Sequence, residues 1–173
     1  MKSTIKPLVL FALLQLYTQS CGVYSFTGTT ITAETISIAT FFNDASNGPA
    51  NLGVSFTDQL RDYFQQNTSL AQVSQGGELQ MEGNIANYRL TPVAPSASGS
   101  DQSRDVANLT RLTITINVEY INLENEDFSF KKSFSQFSDF NSELGLDAVE
   151  SQLIDEIFEL IILDIFNASV ANW

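Results

Sequence analysis

The segment Leu112–Tyr120, LTITINVEY, alternates without a break. Leu112, Ile114, Ile116, Val118 and Tyr120 are apolar or aromatic, and Thr113, Thr115, Asn117 and Glu119 between them are polar. A period of two built from β-branched residues predicts a strand with one buried face and one wet face. The turn at Glu124-Asn125-Glu126 is expected to reverse the chain, after which Phe128, Phe130 and Phe134 continue the apolar face. A hairpin centred on Asn125 sets Tyr120 opposite Phe130, Ile116 opposite Phe134 and Glu119 opposite Lys131. Upstream, Leu79, Met81, Gly83 and Ile85 alternate, and then Tyr88 and Leu90 take the opposite parity. That switch predicts a strand with a bulge near Asn87. TISIATFF, Thr35–Phe42, reads as one more strand, with Ile36, Ile38, Thr40 and Phe42 on one face.

Two stretches carry a helical period instead. Over 51–66, Leu52, Phe56, Leu60 and Phe64 recur every fourth residue with Tyr63 beside them, which makes one stripe. Ser55 and Asp58 have capping-box spacing for a late start of that helix. A last helix is expected to open at Asp147, with Glu150 as capping partner. There Val149, Leu153, Ile157, Leu160, Ile161, Leu163 and Phe166 form a surface wide enough to be buried on more than one face or held against a partner. Gly48-Pro49 and Gly76-Gly77 mark turns. Thr91–Asp105, TPVAPSASGSDQSRD, is rich in Pro, Ser and Gly and reads as a mobile loop that orders only on binding. The element order is β-α-β-β-β-α. Its simplest α+β solution packs two helices on one face of a small, mostly antiparallel four-stranded sheet.

The chain start is different in kind. Met1–Lys6 is short and basic, and Leu8–Leu16 is apolar apart from Gln15. This run is too short to span a bilayer and has the size of a secretory leader. It ends at Thr18-Gln19-Ser20, followed by Cys21, the only cysteine of the chain. One cysteine allows no internal disulfide, and a free thiol is a liability in an oxidising compartment. Removal of residues 1–20 with lipid attachment at Cys21 gives the thiol a purpose. Residues 21–34 then form a tether, and 35–173 a single domain.

Composition excludes several classes of chemistry. The formal charge is −12, and loss of Lys2 and Lys6 with the leader leaves six basic against twenty acidic residues, or −14. Such a chain is a poor ligand for nucleic acid, whose phosphates need Lys and Arg. Histidine is absent, which removes the usual base of nucleophilic catalysis and the usual metal ligand. No phosphate loop or dinucleotide fingerprint occurs, so no enzyme and no cofactor is expected. Arg89, Arg104, Arg111, Lys131 and Lys132 all fall on the middle strands and the loop between them. A local basic surface there suits anionic groups such as lipid phosphates. The alternative is solvated strand ends with Lys131 paired to Glu119.

Three stretches together resemble the LptE family of lipopolysaccharide-assembly lipoproteins. They are CGVYSFTGTTI from Cys21, TISIATFFNDA with FTDQLRDYF, and RLTITINVEY leading to FSQFSDF and LIDEIFELIILDIFNASVANW. The resemblance implies an outer-membrane lipoprotein, anchored through Cys21 on the periplasmic face. It would bind and plug the LptD β-barrel and support insertion of lipopolysaccharide into the outer leaflet. The five basic residues are then candidate contacts for lipopolysaccharide or barrel. A competing reading is a lipoprotein that carries a hydrophobic ligand in a cavity lined by Phe128, Phe130, Phe134, Phe137 and Phe140.

Overall fold

A computed structural model describes residues 32–93 and 108–170 of the chain. The leader, Cys21 and most of the Thr91–Asp105 loop lie outside those residues. Eight strands and α-helices follow in order: β1 (Thr35–Ile38), β2 (Phe42–Asn43), α1 (Leu52–Asn67), β3 (Ala71–Val73), β4 (Leu79–Pro92), β5 (Leu109–Asn122), β6 (Phe130–Asn141) and α2 (Leu146–Ser169). The α+β class and the two helices are as expected, but the sheet is larger and mixed. Its order is β3-β1-β4-β5-β6, with β2 also paired to β4. β1 runs parallel to β3 and β4, and only β4-β5-β6 is antiparallel. The added strand β3 is three exposed residues, too short to leave a period in the sequence. None of the described helices is long and apolar enough to cross a membrane.

The central hairpin has the expected register: Tyr120 faces Phe130, Ile116 faces Phe134 and Glu119 faces Lys131. The β4 register shifts between Ile85 and Asn87, at the expected bulge. That extra residue keeps Tyr88 in the core after Ile85, although Leu90 is exposed. β4 also runs further than expected. Thr91 and Pro92 pair with Arg111 and Thr110, and Val93 N–H donates to Leu109 O at 2.9 Å.

The first strand is corrected. It stops at Ile38, and pairing resumes at Phe42 after a kink. The kink reverses the expected parity, so Phe41 is buried and Phe42 lies outside. Side chains of α1 satisfy the backbone freed there. Arg61 donates to Ile38 O at 2.6 Å, and Thr57 Oγ1 accepts from Phe41 N–H at 2.9 Å. A kink that leaves no buried group unpaired is tolerable.

Leu52, Phe56, Leu60 and Phe64 of α1 are all buried, so the four-residue stripe is its core face. Neither predicted cap forms. α1 starts at Leu52, too early for Ser55 to cap it, and Asn51 makes no side-chain cap. α2 starts after Gly145, whose φ of 74° ends the preceding turn, and Glu150 instead accepts from Tyr88 Oη at 2.6 Å. α2 buries Leu153, Ile154, Ile157, Phe158, Ile161, Ile162 and Ile165, while Leu160 and Leu163 face outward. Edge-to-face contacts of Phe56 with Phe41 (5.1 Å) and Phe158 (5.0 Å) join kink, α1 and α2. Both helices therefore cover one face of the sheet. Burying each such ring stabilises the fold by about 1.5–3 kcal/mol.

Candidate functional site: the uncovered face of the sheet

No helix covers the opposite face of β4-β5-β6 among the described residues. Strand alternation sends Glu82, Asn84, Asn87, Arg89 and Thr91 of β4 to this side. Arg111, Thr113, Thr115, Asn117 and Glu119 of β5 lie beside them, with Lys131, Ser133, Ser135, Phe137 and Asp139 of β6. These side chains pair across the strands in rows. Arg111 holds Asp139 through two bonds of 2.7 and 2.8 Å. Thr115 bonds Ser135 at 2.9 Å, Ser133 donates to Asn117 at 2.6 Å, and Lys131 donates to Glu119 at 2.6 Å. The paired guanidinium holds the Asp139 carboxyl below its ordinary range, and Arg111 is raised in turn by the bond to Asp139. The bond to Glu119 likewise raises Lys131.

Charge is divided unequally between the two sides. On the uncovered face, the strand residues Glu82, Glu119 and Asp139 balance Arg89, Arg111 and Lys131, and Asp44 adds one acid by accepting from Asn84 at 2.6 Å. The helices carry Asp58, Asp62, Asp147, Glu150, Asp155, Glu156, Glu159 and Asp164 against Arg61 alone. An anionic or polar partner therefore meets least repulsion on the sheet side.

The five predicted basic residues do not form one cluster. Arg89, Arg111 and Lys131 share the uncovered face. Lys132 has the opposite parity and lies 4.9 Å from the Phe134 ring centroid, on the helix side. Arg104 and Cys21 lie outside the described residues. Arg111 and Lys131 are already paired, whereas Arg89 forms no ion pair among the described residues.

The phenylalanines also divide. Phe134 and Phe140 are buried in the core, whereas Phe137 is 47% exposed on the uncovered face, with the Arg111 guanidinium 3.6 Å from its centroid. Sequence reasoning misses Asp139 as a member of this face and misplaces Phe137. The signal for both is parity on β6, where odd positions oppose Phe134. At the β1–β2 kink the face has a hollow of about 500 Å³ lined by Thr40, Phe42, Glu82, Asn84, Glu119 and Lys131. Its lining mixes the exposed Phe42 ring with Glu82, Glu119 and Lys131, and it is an open surface hollow rather than an enclosed cavity between the β6 phenylalanines.

The profile of the LptE family, described as lipopolysaccharide-assembly, matches residues 33–169. The chain belongs to the LptE family. The match spans the element order from the strand before the kink to the end of α2. No curated protein matches the chain. Among solved structures, it is similar to the hypothetical protein CT253 from Chlamydia trachomatis, at TM-score 0.53 and 9% identity, covering 81% of this chain and 99% of that one. It is also similar to the rare lipoprotein B from Shewanella oneidensis, at TM-score 0.50 and 8% identity, covering 80% of this chain and 97% of that one. At such identities the likeness is one of fold. The LptE-family fold here thus presents a helix-covered acidic side and a bare sheet on which acids and bases nearly balance.

Proposed function

We propose that this LptE-family protein is a non-enzymatic outer-membrane lipoprotein, anchored through Cys21 on the periplasmic face. It binds and plugs an LptD-like β-barrel and supports lipopolysaccharide insertion into the outer leaflet. The observation that carries this reading is the uncovered face of β4-β5-β6. Apart from Phe137 its side chains are polar, and those of β5 and β6 join in cross-strand pairs, as a surface lying against a water-filled barrel lumen requires. Arg89, Arg104, Arg111, Lys131 and Lys132 are the candidate contacts for lipopolysaccharide or barrel. Arg89 is the first of these to test, because its charge is not already spent on an ion pair among the described residues.

The test is affinity purification of the tagged protein from detergent-solubilised outer membranes, with mass spectrometry of what accompanies it. A large β-barrel in equal amount is the expected outcome. Recovery of the protein alone, with lipid inside it, would overturn the reading in favour of a carrier.

A further inference from the structure

β6 is the last strand of the sheet among the described residues, and its outer edge has no neighbour. Twelve residues long, it contains neither proline nor bulge. Of the devices that blunt natural sheet edges it carries only charge, in Lys131, Lys132 and Asp139, and that charge is of both signs. The direction of its unpaired backbone groups follows from the hydrogen bonds at one end of β5. Ser142 N–H donates to Asn108 O, and Val93 N–H donates to Leu109 O. Even-numbered residues of β5 thus face β6, and odd-numbered ones face β4. Because antiparallel pairs alternate in this way, Lys131, Ser133, Ser135, Phe137 and Asp139 turn their N–H and C=O groups to the open edge.

We propose that the free protein forms a twofold dimer in which β6 pairs antiparallel with β6 of a second copy, centred on Ser135. This register sets Lys131 against Asp139 of the second copy and Ser133 against Phe137. Every odd residue then meets an odd residue, as the backbone directions require. The existing pairs Arg111–Asp139 and Glu119–Lys131 join across the axis into two rows of alternating sign: Arg111, Asp139, then Lys131 and Glu119 of the second copy. Centring the pair on Lys131 would instead oppose two lysines. Of the odd-to-odd registers, the one centred on Ser135 is the one that sets Lys131 against Asp139, and a second copy of β6 supplies both charges.

The helix side of the edge agrees. Gln136 donates to Asp164 at 2.7 Å and Ser138 donates to Glu156 at 3.0 Å, which lays the Glu156-Leu160-Asp164 stripe of α2 along β6. Leu160, on that stripe between Glu156 and Asp164, is 45% exposed. In the same register Lys132 comes opposite Ser138 of the second copy, beside its Glu156. The dimer joins two sheets into one, and it does not depend on the barrel reading.

The test uses the full chain carrying Cys21→Ser, so that no lipid or native thiol intervenes. Sedimentation velocity is expected to give a dimer, and Ser135→Pro, which removes the central outward N–H, is expected to give a folded monomer. Proline is tolerated on an edge strand where the N–H faces solvent. In the same background Ser135→Cys is expected to yield a disulfide-linked dimer on mild oxidation, since paired strands bring Cα atoms within disulfide range. A monomer at every soluble concentration overturns the proposal. So does a dimer unaffected by Ser135→Pro, which would place the contact elsewhere. If Ser135→Pro fails to fold, absence of the cross-link in the Ser135→Cys variant overturns it.

Discussion

Gly83 shows how a single position carries the kink of the first strand. It sits on the core side of β4 opposite Val118, and a Cβ there would meet Asn117 O and come within 2.5 Å of the Phe41 ring. The missing side chain is the space that Phe41 occupies once the β1–β2 kink turns it inward. In the sequence Gly83 reads only as one beat of an alternation, because its neighbour comes from about forty residues away. Gly83→Ala is expected to destabilise the fold by about 1–3 kcal/mol through overpacking, measured as a lower urea midpoint with unchanged slope. Asp139 makes a second residue-scale case. Its folded pKa lies below the ordinary 3.8 because Arg111 donates to it, so its stabilisation is complete above that value and fades as pH falls through the folded one. Asp139→Asn is expected to cost under about 1 kcal/mol at neutral pH, as exposed pairs do. The gap between the two proteins should close in acid unfolding curves.

Among the elements, β5 and β6 were legible to the register, because period-two alternation and a short turn leave few pairings open. α2 was less so. Its apolar positions outnumber those that one face can bury, and periodicity alone does not say that Ile154, Phe158, Ile162 and Ile165 lie inside while Leu160 and Leu163 lie outside. Its start escapes local reading for a related reason. Glu150 has capping spacing from Asp147, but the sheet brings Tyr88 within reach, and the carboxylate serves Tyr88 Oη instead. Burial, then the bond to Glu150, pushes the Tyr88 hydroxyl far above its usual range. Tyr88→Phe is expected to cost about 1 kcal/mol, the net worth of one such bond. A lower thermal midpoint, together with earlier amide exchange at the start of α2, would check it.

Across the described residues charge is segregated: acids gather on the helices, and acids and bases nearly balance on the bare sheet. Of the six basic residues after Lys6, Arg89, Arg111 and Lys131 lie on the bare face, and it is these three that offset its acids. Cys21→Ser is expected to leave the domain folded but release it from membranes, read by fractionation and circular dichroism. The reason is that Cys21 lies twelve residues before Ala33, the first buried residue among those described. Membrane retention of the correctly processed variant would count against the lipid as main tether.

Local pattern alone determined the α+β class, the helix α1, the β5–β6 register and the β4 bulge, since each depends on neighbours a few residues apart. The lipid-attachment expectation at Cys21 likewise rests on a local run of residues. Tertiary structure decided the parallel seat of β1, the kink that exchanges Phe41 for Phe42, and the partners of Glu150 and Asp139. It also scattered the predicted basic cluster across two faces, placing Lys132 on the helix side. These features depend on residues brought together from distant parts of the chain. A period read along the chain carries no information about which distant backbone or side chain will arrive to satisfy a group.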